Sequence, residues 1–240
     1  MCYTVSNIER KSNEYFERYK LFLPPGSQLP ELPVFYFVSG FSHPLLPLIT
    51  HEKIGLYEWG LIPFWIKNEL DATDISNKTL NAVSETVFEK PSFRKSVLSQ
   101  RALLGIRGFF EWRELNKLKY PYFIFSKENA LFSLGCIYEN WIDKETGEER
   151  RTFSILTTAA NALMEKIHNT KKRMPLILSP KDEAMWINPT IEKDTIRSLI
   201  KPYQGNDLEA YTISKDASNS RNNRNLPSIL DRVNYAEIRD

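Results

Sequence analysis

A-L-L-G-I-R-G-F-F-E-W at Ala102 to Trp112, Y-P-Y-F-I-F at Tyr120 to Phe125 and L-F-S-L-G-C-I-Y-E-N-W at Leu131 to Trp141 are apolar, aromatic-rich runs bounded by charge and turn residues, and each reads as a strand. The third run turns through K-E-T-G-E, a hairpin signal, into another strand over Thr152 to Thr158. Upstream, a short strand follows the N-terminus, and further strands are expected over Val34 to Phe41, Pro47 to Thr50 and Ile54 to Ile62. Leu176 to Leu178 and Leu208 to Ser214 complete the set. Helices fall between them. Tyr15, Tyr19 and Phe22 share one face of Ser12 to Leu23, which Pro24, Pro25 and Gly26 then stop. Short helices are expected over Ser84 to Lys90 and Ser92 to Leu98, with Pro63 to Lys78 a loop that carries Trp65. A helix from Ala160, with Leu163, Met164 and Ile167 on one face, ends at His168. Ser179 caps a helix whose first residue is Pro180, and Thr190 to Ile200 is the last helix. Strands dominate without a regular βαβ rhythm, so the class is α+β.

No segment has a linker's composition, and 240 residues with 42% hydrophobic content suffice for one domain over 1–240. Residues 215–240, with S-N-S-R-N-N-R-N, read as a polar tail, mobile or wrapped over the surface. The start M-C-Y-T-V-S lacks the regions of a signal peptide and no long apolar run occurs, so a soluble, cytoplasmic protein with no membrane association is expected, nucleoid-associated if bacterial. With 32 basic and 30 acidic side chains the net charge is +2, so a polyanionic partner needs a local basic groove.

Cys2 and Cys136 make no disulfide framework, and Cys136, within F-S-L-G-C-I-Y, reads as a buried small hydrophobe. Neither they nor His43, His51 and His168 have the close spacing of a metal site, and no metal or cofactor is expected. Gly-rich phosphate loops and a G-x-S-x-G elbow are absent.

Cys2 is different in position. If Met1 is trimmed, the chain begins with an amine and a thiol on one residue, whose ordinary pKa values of about 7.7 to 8.0 and about 8.5 leave a fraction of each nucleophilic near neutrality. An aldehyde attacked by the amine gives a Schiff base, and the thiol closes it to a five-membered thiazolidine. On position alone, Cys2 also reads as a small residue leading into a strand. Glu111 lies between Phe110 and Trp112, and its neighbours of like parity are Phe109 and Arg113. A carboxylate in that aromatic setting has a raised pKa and can pass protons, whereas a solvent-facing one does neither. Lys171, Lys172 and Arg173 form the densest basic cluster. It is either a solvated loop or, with Trp65, Arg94, Lys95, Arg101 and Arg107, a cationic aromatic channel for single-stranded nucleic acid.

Taken in order, Cys2, W-G-L-I-P-x-W, N-A-x-x-E-T, P-S-F-R, G-F-F-E-W, P-Y-F-I-F, I-L-T-T-A and His168 followed by R-M-P resemble the SRAP family, the SOS response-associated peptidases or abasic-site processing proteins. The resemblance runs from residue 2 to about Ser214. It implies a strand-rich, barrel-like core with peripheral helices, binding of single-stranded DNA containing abasic sites, and a thiazolidine link between the processed N-terminal cysteine and the ring-opened sugar. Carried onto this chain, Cys2 is the nucleophile, Asn81 orients its amine, Glu111 shuttles protons and His168 assists sugar-ring opening. Trp65, Arg94, Lys172, Arg173, Met174 and Pro175 match positions that hold DNA. The peptidase label implies self-removal of a leader, which here is Met1 alone, and no obligatory protein partner is implied. A cysteine peptidase or amidohydrolase using the N-terminal amine, and a non-covalent nucleic-acid-binding module with an inert Cys2, are the competing functions.

Three departures stand out. Val83 occupies a position where the family has a phosphate-binding arginine, which would shift that burden to Lys78, Arg94 or Lys172. Asn169 to Lys172 separate His168 from R-M-P where the family has one residue. Phe37 to Phe41 lacks the family's N-x-A-P-T pattern.

Overall fold

The apolar strands segregate into two sheets in the computed structural model, which describes residues 2–7, 12–22 and 34–238. The strands are β1 (Thr4–Asn7), β2 (Phe35–Ser39), β3 (Leu45–Ile49), β4 (Ile54–Trp59), β5 (Asn81–Val83), β6 (Arg101–Ile106), β7 (Gly108–Leu115), β8 (Leu118–Ser126), β9 (Phe132–Ile142), β10 (Glu149–Ala159), β11 (Arg173–Pro175), β12 (Ile177–Leu178) and β13 (Leu208–Thr212). The helices are α1 (Ser12–Tyr19), α2 (Glu69–Lys78), α3 (Ser96–Ser99), α4 (Ala162–Ile167), α5 (Pro180–Ile187) and α6 (Lys193–Leu199). The stop expected at Pro24 to Gly26 lies outside the described residues.

One sheet closes on itself. β4 pairs with β3, β3 with β6, β6 with β9 and β9 with β10, and β10 returns to β4 in parallel through Thr152 and Glu58. Closure leaves no unpaired edge along that ring. β5 and β11 then add to β10, through Ile155–Asn81 and Thr157–Pro175, and β12 adds to β9. The second sheet is antiparallel, in the order β13, β8, β7, β1, β2.

The run over Ala102 to Trp112 serves both sheets. Its first half is β6 of the barrel, its second half is β7, and Arg107 marks the crossing, its N–H donating to Ser6 O at 2.9 Å. Gly108 permits the crossing, because a Cβ there would lie 2.4 Å from Phe123 Cζ and 2.5 Å from Ile124 O. Strand alternation then sorts the side chains. Ala102, Leu104, Leu134 and Cys136 pack with Val5, Phe109 and Ile124 of the second sheet, whereas Leu103 and Ile137 pack with Tyr15, Tyr19 and Trp186 of the helices. With both faces covered, β6 is buried along its whole length.

Three expectations need correcting. The stretch from Pro63 to Lys78 contains α2, started by Asn68, whose side chain accepts the Asp71 N–H at 2.9 Å. Ser84 to Lys90 forms successive turns, and only Ser96–Ser99 of Ser92 to Leu98 is helical. The polar tail takes the wrapped alternative of its two readings: Ile229 is buried with Phe37, Phe110 and Phe123, and Val233 N–H donates to Thr212 O at 2.9 Å.

Candidate functional site

Cys2 precedes β1 and is fully buried between the two sheets. Its thiol donates to Thr4 O at 3.8 Å, and its carbonyl accepts from Asn81 Nδ2 at 2.9 Å. Asn81 is carried there by β5, so the barrel itself aims this amide at the N-terminus. The other amide atom, Asn81 Oδ1, is buried and has no hydrogen-bond partner among the described residues. Burial pushes the Cys2 thiol well above its ordinary range, and the nearby Glu111 charge adds to the effect. This corrects the expectation of a thiol partly ionised near neutrality: here the sulfur holds its proton until something accepts it.

Glu111 lies on β7 opposite Tyr122, and strand parity turns it inward with Phe109. Desolvation is the main reason its carboxyl is raised from 4.5 to about 7. His168 caps the C-terminal end of α4, a helix started by Asn161 Oδ1 accepting the Met164 N–H at 3.0 Å. His168 Nδ1 lies 2.9 Å from Arg173 O and 3.8 Å from Glu111 Oε1. A carbonyl only accepts, so Nδ1 carries the hydrogen and Nε2 keeps a lone pair. Burial, reinforced by nearby positive charge, lowers the imidazole from 6.5 to about 4. At neutral pH the pair is therefore a neutral histidine beside a carboxyl near its midpoint, an arrangement suited to proton transfer in both directions.

The long connection after His168 does not displace it. Lys172 N–H donates back to His168 O at 2.8 Å, closing a tight turn with Lys172 in the left-handed region (φ 49°). Asn169 ties that turn to β7, its Oδ1 accepting the Glu114 N–H at 3.0 Å and its Nδ2 donating to Glu114 O at 2.8 Å. Sequence reading missed Asn169, because an isolated asparagine in a basic loop carries no signal of its distant partner.

The expected DNA contacts are dispersed. Arg173, on β11, is held by Glu85 at 2.5 and 2.9 Å and by Thr157 O at 2.7 Å. The guanidinium in turn lowers Glu85 from 4.5 to about 2. Val83 stands beside this pair, opposite Thr157. Met174 and Pro175 are buried in β11, Met174 Sδ accepting the Asn161 N–H at 3.3 Å. Arg94 and Lys172 are exposed, Trp65 and Phe64 are exposed together, and Lys95 Nζ lies 3.9 Å from the Phe64 ring centroid. Lys78 is engaged by Asp74 at 2.6 Å. Arg101 does not join any channel: it is buried and donates to Trp186 O at 2.7 Å and Val97 O at 2.9 Å, tying α5 to β6 and α3.

A sequence model of the family described as SOS response associated peptidase (SRAP) matches residues 28–220. The abasic site processing protein YoqW of Bacillus subtilis is 39% identical over 207 residues, covering 84% of this chain and 87% of that protein. The abasic site processing protein YoaM of the same organism is 36% identical over 219 residues, covering 89% and 90%. A crystal structure of a Bacteroides thetaiotaomicron protein superposes with a TM-score of 0.87 at 40% identity, over 97% of this chain and 100% of that one. A barrel closed by β10, a buried Cys2 held by Asn81, and these matches over most of the chain lead to one conclusion: this protein belongs to the SRAP family.

Proposed function

We propose that this protein captures abasic sites in single-stranded DNA by forming a thiazolidine with Cys2, after Met1 has been removed by the protein's own peptidase activity. The observation that carries the reading is the convergence on Cys2: Asn81 Nδ2 fixes its carbonyl at 2.9 Å, Asn81 Oδ1 is an open buried acceptor, and Glu111 and His168 stand 3.8 Å apart beside it. The names of YoqW and YoaM as abasic site processing proteins support the substrate class.

The ring-opened sugar presents an aldehyde. The freed amine, oriented by Asn81 Oδ1, adds to the carbonyl carbon, and the resulting carbinolamine loses one water to give a Schiff base. Protonated Glu111 donates the proton that carries the hydroxyl away. The Schiff base forms as an iminium that keeps its N–H, the Cys2 sulfur adds to its carbon as the thiol proton passes to ionised Glu111, and the C=N electron pair returns to the nitrogen, which becomes the neutral ring amine. One water leaves overall, and the enzyme's proton inventory returns to its start. During ring opening His168 Nε2 accepts the anomeric hydroxyl proton and returns it to the ring oxygen as the C–O bond breaks.

The test is incubation with an abasic single-stranded oligonucleotide, followed by denaturing electrophoresis and intact mass. Wild-type protein should lack Met1 and form a heat-stable adduct. Cys2→Ala should bind the oligonucleotide and form none, and Cys2→Ser should give only a borohydride-trappable Schiff base. A wild-type protein that loses Met1, binds DNA and never forms an adduct would refute the covalent reading in favour of a non-covalent binding module.

A further inference from the structure

We propose that the cavity beside Glu111 and His168 is a phosphate seat for the reacting DNA strand, in which Lys119, Lys171 and Arg224 hold a phosphodiester next to the abasic sugar. The inference rests on the reading above and adds residues outside the motifs quoted for the resemblance; Arg224 lies beyond the residues the family model matches.

The cavity has a volume of about 390 Å³, and its wall combines buried Glu111 and His168 with exposed Lys119 and Lys171 and half-buried Arg224. A water occupies roughly 30 Å³, so the space takes a sugar and its phosphate. Lys171 is close enough for its charge to act on both Glu111 and His168. None of the three cations forms an ion pair among the described residues, whereas Arg173 is neutralised by both oxygens of Glu85. Glu114 faces Lys119 across β7 and β8 and offsets one charge, which leaves the seat net positive with Glu111 protonated.

Arg224 is presented by a wall and not by a loose arm. The Trp112 indole N–H donates to Ser218 Oγ at 2.8 Å, and Asn225 Oδ1 accepts the Tyr36 N–H of β2 at 2.8 Å. Between these anchors the guanidinium lies 4.6 Å from the Phe37 ring centroid, with Nη1 donating to Ala217 O at 3.3 Å. One of its five N–H groups is used, and the planar fork that remains suits a phosphate. The face that lacks the N-x-A-P-T pattern, Phe37 to Phe41, thus supplies in Phe37 the ring on which this arginine rests.

The test compares full-length wild type with Lys171→Ala, Arg224→Gln and Arg224→Lys against two aldehydes, an abasic oligonucleotide and free 2-deoxyribose, which has no phosphate. Each lost phosphate contact should flatten the log-log salt dependence of oligonucleotide binding by about 0.7 and weaken binding about fourfold near 0.15 M salt. Adduct formation of Arg224→Gln with 2-deoxyribose should stay at the wild-type rate, and Arg224→Lys should recover most of the salt slope; Lys171→Ala is read by its salt slope alone, since its charge also acts on Glu111 and His168. An unchanged slope in Lys171→Ala and Arg224→Gln overturns the phosphate seat, as does an equal loss with both aldehydes in Arg224→Gln. If no aldehyde reacts with any of these proteins, the covalent reading fails while the salt slope still decides the seat.

Discussion

Replacing Glu111 with glutamine keeps the side chain's shape and removes a group whose charge the fold excludes. Because burial raises its carboxyl from 4.5 to about 7, the folded chain binds this proton more tightly than the unfolded chain does. The stability it contributes is whole below pH 4.5 and is lost as the pH rises through 7. At about 1.4 kcal/mol per unit, and with the unfolded side chain already partly ionised at pH 5, the wild type should lose about 2 to 3 kcal/mol between pH 5 and pH 8 through this group alone. Glu111→Gln loses none of it. His168 is depressed from 6.5 to about 4, so its own contribution is present above pH 6.5 and disappears as the pH falls through 4. It titrates in both proteins and cancels in their difference. Urea unfolding at pH 5 and pH 8 reads the effect directly, and a change of about 2 to 3 kcal/mol corresponds to roughly 5 to 10 °C in Tm for a chain of this size. Glu111→Gln should gain on the wild type by that amount as the pH is raised. A stability difference between the two proteins that is the same at both pH values would show that the carboxylate is solvated or compensated, and would remove the basis for its role as a proton carrier. In adduct formation, wild-type rates should fall as the pH climbs through 7, while Glu111→Gln should be slow and flat there.

Asn169→Ala deletes both ties to Glu114 and should cost about 1 to 2 kcal/mol in unfolding experiments while slowing adduct formation, with the salt slope of DNA binding unchanged. An adduct rate equal to wild type would mean that the turn closed by Lys172 positions His168 without help. Glu85→Gln frees Arg173 and should steepen the salt slope for single-stranded DNA by about 0.7, at any pH above about 3, since Glu85 is ionised down to about 2. A slope that does not move would place Arg173 outside the DNA path. Val83→Arg sets a second cation beside the same pair and should also steepen the slope, by less in the presence of Glu85 than in a Glu85→Gln background.

Most strands were legible in the sequence because their signals are local, but the short β5 and β11, each three residues long, were not. Apolar alternation bounded by turn residues marks β7 to β10, the glycine at 147 takes φ +75° in the K-E-T-G-E hairpin, and Pro180 is the first residue of its helix. The ordered motifs likewise identified the family before any coordinates. α2 was missed because it lacks a stripe: only Ala72 and Ser76 are buried, and Leu70 faces solvent. Its polar start signal at Asn68 had no apolar period to support it. Barrel closure was out of reach for another reason, since it depends on β10 accepting β9 on one side and β4 on the other, pairings between distant segments that no local window contains.

The chemistry of the site divides along the same line. Residue types are sequence properties, and the family resemblance they carry singled out Cys2, Asn81, Glu111 and His168 as candidates. Their ionisation is a property of burial and neighbours, which only the tertiary structure supplies. Desolvation turns Cys2 into a reluctant thiol, Glu111 into an acid near 7 and His168 into a neutral base. Glu85 neutralises the arginine that composition counts as free, and Arg101, equally basic in sequence, is consumed holding α5. The polar tail, featureless as sequence, is docked on the second sheet through Ser218 and Asn225, which brings Arg224 to the cavity wall. Charge can be counted along the chain, but whether a charge is free to meet a ligand is set by the groups folding places around it.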